Sequence, residues 1–463
     1  MKPPTRQPLQ MRADPESPLS RPRQEEMLLF VATLLFGLAV RSGAINVVFV
    51  LIASVALGLS IALSKRNKWT EAFDSAPIDR RLLMAVGLFG LLGVAGWSPS
   101  LVGPTSFLME RLPGGLFFVL AVAAFLTRGH RTPARFAILS LAALSIVGVF
   151  GLMHIEATGT TGFDVFHLHV AAADALVDGE NPYTDAVTVP DGSPNAQADD
   201  VIEGYVYPPI SMIGYAVGSW LSPNARYMSL VAWLVVLGIL GFRATTNRSA
   251  RDLHVMMLLA SVPGLWLVIR AAWTEPLSLM FMAVGVVLWA NRGWSGAAIG
   301  GMLASKQYFL ITAPILLLHR DRGWLRRLAA GAIVLAVTIV PFLVWDASAF
   351  WVSVVEFHLS TQPRPDSSNL VGLMALLGTE WVPPTAVLAV LGLAAAFWAA
   401  FGSTTRRSFV LAGAFPLAVS FLLTSQTFAN YWFLVFGLCA LALSTGNQDD
   451  KAESDSDQIT SPT

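Results

Sequence analysis

The chain of 463 residues has little charge and almost no cysteine. Only 13% of its residues are charged, against about 25% in ordinary soluble domains, and 54% are hydrophobic. The single cysteine, Cys439, excludes an intrachain disulfide and a metal site built from cysteines. The formal net charge is zero, so no overall field favours a nucleic-acid partner. This composition excludes an ordinary soluble domain and a disulfide scaffold.

Familiar cofactor motifs are also missing. The sequence contains no Walker phosphate-binding loop, no Rossmann glycine fingerprint and no His-Glu-x-x-His zinc motif. A nucleotide-sugar donor would need a cytoplasmic nucleotide-binding domain, and the longest connector predicted on that side is too short to form one. No metal or other cofactor is indicated, although the acids of residues 154–207 could bind a divalent ion. The sequence therefore favours a substrate that is already embedded in the membrane.

Apolar segments make up most of the chain. They predict an all-α, polytopic transmembrane protein with about 12 crossings, and segments shorter than about 20 residues are expected to be tilted, broken or partial. A polar tail, 1–26, precedes them, and an acidic tail that we expect to be disordered, 446–463, follows them. The predicted segments are 27–40, 44–63, 82–97, 114–127, 136–153, 208–221, 227–242, 254–269, 276–290, 296–318, 328–345, 381–401, 408–424 and 430–444.

Lysine and arginine are plentiful in some connectors and scarce in others. By the positive-inside rule, this alternation places the N-terminus in the cytoplasm and residues 154–207 outside. The cation-rich stretches are 1–26 with five Lys and Arg, 64–81 with five, 128–135 with three and 319–327 with four. The sequence thus predicts a multi-pass protein of the cell membrane.

One connector conflicts with this topology. Residues 243–253 contain three Arg and should be cytoplasmic. Two full crossings after the outer loop would place them outside instead. Either 208–221 or 227–242 is not a full span, or the rule fails there.

Residues 154–207 form one long polar loop with ten acids and no Lys or Arg. Loops of this length between membrane helices usually carry function, because the bilayer gives them no packing reason to exist. The predicted catalytic residue, Asp164, lies in this loop. Any phosphate in the reaction would have to meet cations from elsewhere in the fold.

A short amphipathic helix is predicted within the loop. Apolar residues recur at helical spacing after Asp164, and Gly179 is a natural stop. The four apolar positions that define the expected buried face are Phe166, Val170, Ala173 and Val177. The helix should lie on the outer membrane surface with Asp164 at its N-cap, a role that would by itself account for this residue. His167 and His169 point in different directions on a helix, so we interpret them as interfacial polar residues rather than metal ligands.

The order of motifs along the loop resembles a known enzyme family. Asp164 and its helix are followed by the string Gly-Glu-Asn-Pro-Tyr at 179–183 and by Tyr-Val-Tyr-Pro-Pro at 205–209. This order is similar to the first outer loop of the multi-spanning glycosyltransferases of the C superfamily. It is most similar to family 87, the polyprenyl-phosphate-mannose-dependent mannosyltransferases and their relatives. The resemblance covers roughly residues 136–445, after the N-terminal helices of 27–135.

Charged residues also interrupt the apolar segments, where they are costly and default to functional candidates. Arg270 and Glu275 lie between two segments, and Lys306, Gln307 and Tyr308 divide residues 296–318 into two half-length pieces. A structural ion pair of Glu275 with Arg270 or Lys306 would also explain these charges. The resemblance implies a place on the active face, since relatives carry similar Trp-Thr-Glu-Pro and Ser-Lys-Gln-Tyr strings.

The remaining candidates lie in outer connectors. The loop 346–368 contains His358 and Arg364, and Arg364 could hold a lipid-linked phosphate with its bidentate fork or simply be solvated. Asn430 begins the last segment, beside aromatic residues that are more typical of an interfacial belt. Tyr207, in the Tyr-Val-Tyr-Pro-Pro motif, completes the predicted substrate site.

Together these residues predict sugar transfer. The resemblance implies a polyprenyl-phosphate donor, with mannose the expected sugar, and a hydroxyl acceptor on a lipid or glycan at the outer face. Asp164 is expected to act as general base, and one or more of Arg270, Lys306 and Arg364 to stabilise the phosphate leaving group. A single base with a phosphate leaving group implies inversion. The predicted partners are donor, acceptor and membrane lipid, not nucleic acid.

Two other classes of membrane protein remain as alternatives. A transporter or lipid flippase should show inverted repeats and charges near the bilayer midplane, but no clear repeat is seen and the candidates cluster toward one side. An O-antigen polymerase or ligase would also have a large outer loop, typically with catalytic Arg or His, and this loop has no Arg. The sequence favours the glycosyltransferase over both.

Overall fold

The computed structural model shows a bundle of helices with one short hairpin. It describes residues 24–40, 46–66, 76–97, 106–158, 163–184, 186–188, 201–219, 222, 224–321, 323–379 and 383–445. The polar tails 1–23 and 446–463 and residues 189–200 of the acidic loop lie outside the described residues. The next three residues form a strand, β2 (Val201–Glu203), which pairs antiparallel with β1 (Ala186–Thr188).

The helices follow the predicted apolar segments closely. In chain order they are α1 (Gln24–Leu38), α2 (Asn46–Arg66), α3 (Ala76–Val94), α4 (Ser106–Leu126), α5 (Pro133–Ala157), α6 (Asp164–Asp178), α7 (Pro209–Ser219), α8 (Arg226–Thr246), α9 (Ala250–Ala260), α10 (Leu265–Arg270), α11 (Glu275–Val287), α12 (Arg292–Leu303), α13 (Ala313–Leu318), α14 (Trp324–Trp351), α15 (Phe357–Ser360), α16 (Leu370–Leu376), α17 (Thr385–Ala400), α18 (Arg406–Leu423) and α19 (Ala429–Ser444). A 3-10 helix, Gln307–Thr312, precedes α13, and a π-helical turn, Val352–Glu356, follows α14.

Short polar residues fix where several helices begin. Thr132 caps α5 by accepting a hydrogen bond from the Arg135 amide, and Pro133 follows at the first helical position. Ser249 caps α9 in the same way, and Thr405 caps α18 in a reciprocal capping box. These side chains satisfy amide groups that the first helical turn leaves without partners.

The length and composition of the helices show a membrane protein. Among the described residues, five helices are long and apolar enough to cross a bilayer, namely α2, α5, α8, α14 with its continuation to Ser360, and α18, and six shorter apolar helices accompany them. The prediction of an all-α, polytopic membrane fold is therefore confirmed. The number of crossings, about 12 by the length rule, stays a prediction.

The short length of α7 favours one explanation of the conflict over residues 243–253. The helix has only 11 residues, so it is about 16 Å long, roughly half the thickness of the hydrocarbon core. Only α8, with 21 residues, separates the acidic loop from this connector by a full crossing. The three Arg can then lie on the opposite side from the loop, as their charge predicts.

The N-terminal helices pack onto the rest of the bundle. Phe36 of α1 stacks on Trp432 of α19 with ring centroids 5.7 Å apart. At one end, the Arg251 guanidinium of α9 lies 3.7 Å from the Glu26 carboxylate of α1 and 3.8 Å from the Asp79 carboxylate of α3. Aromatic packing thus attaches α1 to α19, and ion pairs attach α1 and α3 to α9.

Two of the predicted segments are broken, and both breaks carry polar residues. The predicted segment 254–269 divides into α9 and α10, and 296–318 divides into α12, the 3-10 helix and α13. Lys306 lies in the second break, as the sequence predicts, and its backbone there is extended. Non-helical backbone at membrane depth is tolerated where it is buried in protein or lines a cavity.

Candidate active site

A cavity of about 570 Å³ collects most of the predicted site residues. It lies between the start of α6, the segment 205–207, the break before the 3-10 helix, the connector after α15 and the start of α19. Its polar wall contains Asp164, Tyr207, Lys306, Gln307, Tyr308, His358, Arg364, Gln426, Asn430 and Tyr431. Its apolar wall contains Ile311, Leu359, Leu388, Ala389 and Phe421, among others.

Asp164 is the first residue of α6, half-buried at the cavity wall. Its Oδ1 accepts a hydrogen bond from the Val165 amide at 2.8 Å. The prediction that Asp164 is the N-cap is wrong by one position: Phe163 has the extended cap conformation, and no side chain caps this end. Since the Phe163 side chain offers no oxygen, the Asp164 carboxylate itself accepts from the second amide of the helix, that of Val165. It also lies where the positive end of the helix dipole favours an anion.

The predicted amphipathic helix forms, but its buried face differs from the expected one. Gly179 ends α6 with φ 78°, a left-handed conformation that favours glycine. Val177 is exposed, whereas His169 is completely buried. The interpretation of His169 as an interfacial polar residue is therefore wrong, because its ring faces the protein interior.

A buried ion pair forms the centre of the polar wall. The Lys306 ammonium lies 3.1 Å from Oε1 of Glu275, and both side chains are almost fully buried. The same Oε1 accepts hydrogen bonds from Asn430 Nδ2 at 2.8 Å and from the Tyr308 hydroxyl at 3.1 Å. Three predicted residues, from two other parts of the sequence, thus meet around the carboxylate of a fourth. Glu275 does not itself line the cavity but holds three residues that do.

Aromatic rings surround the Lys306 ammonium. It lies 4.3 Å from the ring centroid of Tyr207 and 5.8 Å from those of Tyr308 and Tyr431. Such rings attract a cation through their negative faces. Burial raises the pKa of the Tyr207 hydroxyl well above its ordinary value, so this group remains protonated and can donate a hydrogen bond.

The segment that carries Tyr207 is held on several sides. The Tyr183 hydroxyl donates to the Tyr207 carbonyl at 3.0 Å, and the Tyr205 amide donates to the Pro182 carbonyl at 2.9 Å. His358 Nε2 lies 2.8 Å from the Val206 carbonyl. His358 therefore fixes the cavity wall through one ring nitrogen while its side chain lines the cavity.

Arg364 lies at the exposed rim. Its guanidinium forms a bidentate pair with Asp366 at 3.0 and 2.8 Å and lies over the Phe428 ring at 5.0 Å. The connector that carries it is fixed to the start of α19, since the Ser368 amide donates to the Thr427 carbonyl at 2.7 Å. Arg364 is thus a cation held at the entrance rather than in the depth of the cavity.

Arg270 is the one candidate cation that the structure places away from the cavity lining. It is buried at the end of α10, and its guanidinium lies 5.8 Å from the ring centroid of Phe163, the residue before Asp164. A left-handed turn, with Ala272 at φ 53°, follows α10 and leads to Glu275 at the start of α11. Of the two ion pairs considered for Glu275, the structure shows the one with Lys306.

Sequence reasoning missed the apolar wall and the residues behind Asp164. Ile311, Leu388 and Phe421 carry no signal in a sequence where most residues are apolar. His169 and Tyr215 carry polar atoms on buried helix faces. Their hydrogen-bond partners, Tyr205 and Ala272, lie far away in the chain, so the sequence does not indicate these contacts. Among the described residues, no group of three or more His, Cys, Asp or Glu could hold a metal ion.

One of three comparisons with known proteins found a match. Residues 205–425 match the family model described as Glycosyltransferase family 87. The matched stretch contains Tyr207, Glu275, Lys306 and Arg364, whereas Asp164 precedes it. A search of curated proteins and a search of solved structures each found no match. The match over residues 205–425 thus supports membership of glycosyltransferase family 87.

Proposed function

We propose that the protein transfers a sugar, with mannose the expected one, from a polyprenyl-phosphate donor to a hydroxyl of a lipid or glycan at the outer face of the cell membrane. One observation carries the proposal. A single cavity joins a carboxylate, two cations and an apolar wall: Asp164, Lys306, Arg364 and the side chains around Phe421. A base, a phosphate site and a lipid-compatible surface are the groups that this reaction needs.

The apolar wall suits a donor that enters from the bilayer. Ile311 of the 3-10 helix and Leu388 of α17 line the cavity, and their neighbours Leu310 and Val390 are 59% and 64% exposed. Apolar side chains exposed on a membrane helix face lipid tails. A polyprenyl chain lying between the 3-10 helix and α17 would keep its isoprene units in this apolar surrounding, with its phosphate beside Lys306.

Lys306 and Arg364 can both contact phosphate oxygens. Lysine carries three donors, and among the described residues Lys306 uses one of them on Glu275, so two remain. Arg364 shares its fork with the exposed Asp366, a partner that a phosphate could displace because exposed ion pairs are weak. Arg270 is no longer proposed to touch the leaving group, since it lies behind Phe163.

The chemistry then assigns one task to each group. The acceptor oxygen attacks the anomeric carbon as its proton passes to Asp164. The bond from that carbon to the phosphate oxygen breaks, and its electron pair stays on the phosphate, where Lys306 and Arg364 stabilise the added charge. Attack opposite the leaving group inverts the anomeric carbon, so a β-linked donor gives an α-linked product.

The donor class can be tested directly. Purified protein in lipid nanodiscs would receive radiolabelled mannose either as polyprenyl-phosphate-mannose or as a nucleotide-linked mannose, together with a membrane glycolipid extract. We expect labelled glycolipid only from the lipid-linked donor. Transfer from the nucleotide-linked donor, or equal transfer from both, would contradict the proposed function. Product linkage analysis then tests inversion.

A further inference from the structure

His169 is buried behind the cavity and takes no part in the proposed chemistry. It lies five residues after Asp164 on α6, so about 7.5 Å along the helix axis. Its ring stacks on Tyr215 of α7, with centroids 3.8 Å apart and planes at 21°. Its Nδ1 lies 2.9 Å from the Tyr205 hydroxyl. Through these two tyrosines, His169 attaches the helix of Asp164 to α7 and to the segment before Tyr207.

Helix α7 continues the connection toward the ion pair. The Tyr215 hydroxyl donates to the Ala272 carbonyl at 2.9 Å and lies 2.7 Å from the Ser229 hydroxyl, which is 3.1 Å from the Trp273 carbonyl. Ala272 has φ 53°, a conformation that side-chain-bearing residues rarely adopt and that surrounding contacts must hold in place. These bonds therefore fix the strained turn from which Glu275 starts α11.

The other end of α7 fixes the second half of the ion pair. Ser211 donates through its hydroxyl to the Ser305 carbonyl at 2.8 Å, one residue before Lys306. The Ser305 hydroxyl in turn lies 2.7 Å from that of Ser278 in α11. A single short helix thus contacts the turn before Glu275 and the turn before Lys306.

We infer that His169 is a positioning residue, which with Tyr205 and Tyr215 sets the carboxylate of Asp164 in register with the Lys306–Glu275 pair; the inference rests on the proposed function. The geometry gives the reason. Asp164 and Lys306 are far apart in the sequence. Helix α7 contacts both the helix that carries Asp164 and the turn before Lys306. Misplacing a reacting group by about 1 Å can reduce the rate 100-fold, even when substrate still binds.

The electrostatics of His169 agree with this role. Burial, and secondly the Lys306 charge, lower the pKa of His169 well below its ordinary value. Its Nε2 has no hydrogen-bond partner among the described residues. A neutral, buried ring with one hydrogen bond and one stacking contact is suited to holding a position rather than to carrying a proton in or out.

The test separates positioning from general damage. His169→Phe keeps a stacking ring but removes the hydrogen bond to Tyr205, whereas His169→Asn places an amide near the position of Nδ1 and can restore that bond. We expect His169→Phe to lower kcat about 10- to 100-fold with the donor KM within twofold of wild type. His169→Asn should recover much of the lost kcat. Tyr227→Phe, which removes a tyrosine bond to Glu156 outside this network, serves as matched control and should not change kcat.

Each outcome has a defined meaning. Wild-type kcat in His169→Phe would overturn the inference, and so would a fall in kcat that His169→Asn does not relieve. A proportional loss of kcat, donor affinity and thermal stability would also overturn it, because that pattern indicates damage to the fold. Failure of the wild-type protein to use the lipid-linked donor would contradict the proposed function instead, so the two failures are distinguishable.

Discussion

Lys306 and Glu275 show how a residue's surroundings decide between structural and functional interpretations. Both side chains are nearly free of solvent, and Tyr308 and Asn430 also donate to the Glu275 carboxylate. A buried pair is weak evidence for net stability, since replacing both partners by apolar residues is often neutral. Removing only one partner is costly because the other charge stays buried alone. This asymmetry allows the two interpretations to be separated.

We expect Lys306→Met to destabilise the protein by about 3–5 kcal/mol, measured as thermal unfolding in detergent. The double variant Lys306→Met with Glu275→Leu should recover most of that stability, because no buried charge is left unpaired. Transfer activity should stay at least about 100-fold below wild type in the double variant, since the phosphate has lost its cation. Wild-type transfer by the stable double variant would show that the pair is only structural.

The sequence identified Lys306 and Glu275 as candidates but did not reveal all of their contacts, and both outcomes have physical causes. Lys306 and Glu275 were visible because charges within apolar segments are rare. Their meeting with Asn430 was not visible, since no spacing rule connects positions 155 residues apart. His169 was misinterpreted because its helix presents a wider buried face than the four apolar positions suggested. Arg270 was expected at the phosphate because a turn conformation cannot be read from residue types.

At the scale of elements, the stability of α6 depends on the conformation of the residue that ends it. Gly179 closes the helix at φ 78°, and a Cβ added there would meet nothing within 4 Å. Any penalty for a side chain at this position must therefore come from the backbone conformation. The helix carries Asp164 at its other end, so its integrity affects the site.

We expect Gly179→Ala to destabilise the protein by about 1–2 kcal/mol, because a left-handed conformation brings Cβ close to the next carbonyl oxygen. Gly238→Ala is the matched control. Gly238 lies within α8, also with nothing within 4 Å of an added Cβ, and alanine there should be neutral or stabilising by up to about 1 kcal/mol. Thermal unfolding of both variants measures the difference. Equal effects would show that conformation at residue 179 is not the cause.

Most element boundaries were predictable within a few residues, although α3 and α4 begin well before the predicted segments 82–97 and 114–127. The break at Lys306 and the stop at Gly179 follow from polar and glycine residues in apolar or helical surroundings. The half-length of α7 was one of three explanations for the charge conflict, and only the structure selects it. The hydrogen bonds from α7 to the two turns come from Ser211 and Tyr215. Their acceptors are backbone carbonyls, which every residue has, so the residue types do not reveal these contacts.

At the scale of the whole molecule, the distribution of charge and the helix lengths agree on one topology. The acidic loop and the connector after α8 are separated by one full-length helix. Arg251, one of the three Arg of residues 243–253, pairs with Glu26 and Asp79 at the starts of α1 and α3. The N-terminal helices thus share their charged end with the cation-rich connector, on the side that we propose to be cytoplasmic.

Cysteine labelling tests this orientation. The native Cys439 is completely buried, so it should give little background. We expect a membrane-impermeant maleimide to label Asp178→Cys, at the end of α6, in intact cells. Asn247→Cys, exposed just after α8, should be labelled only after permeabilisation. The reverse pattern would contradict the proposed orientation, and labelling of both sites in intact cells would contradict a full crossing by α8.

The proposed mechanism depends on Asp164 acting as the base in the cavity that Asp164 and Lys306 both line. The most direct measurement is the rate of sugar transfer from polyprenyl-phosphate-mannose by Asp164→Asn, which keeps the side chain's shape but removes its basicity. Asp174→Asn, an exposed acid on the same helix, is the matched control. We predict that Asp164→Asn lowers kcat at least about 100-fold, as expected for loss of a general base, with unchanged thermal unfolding, while Asp174→Asn retains full activity. Full transfer by a folded Asp164→Asn protein would contradict the account.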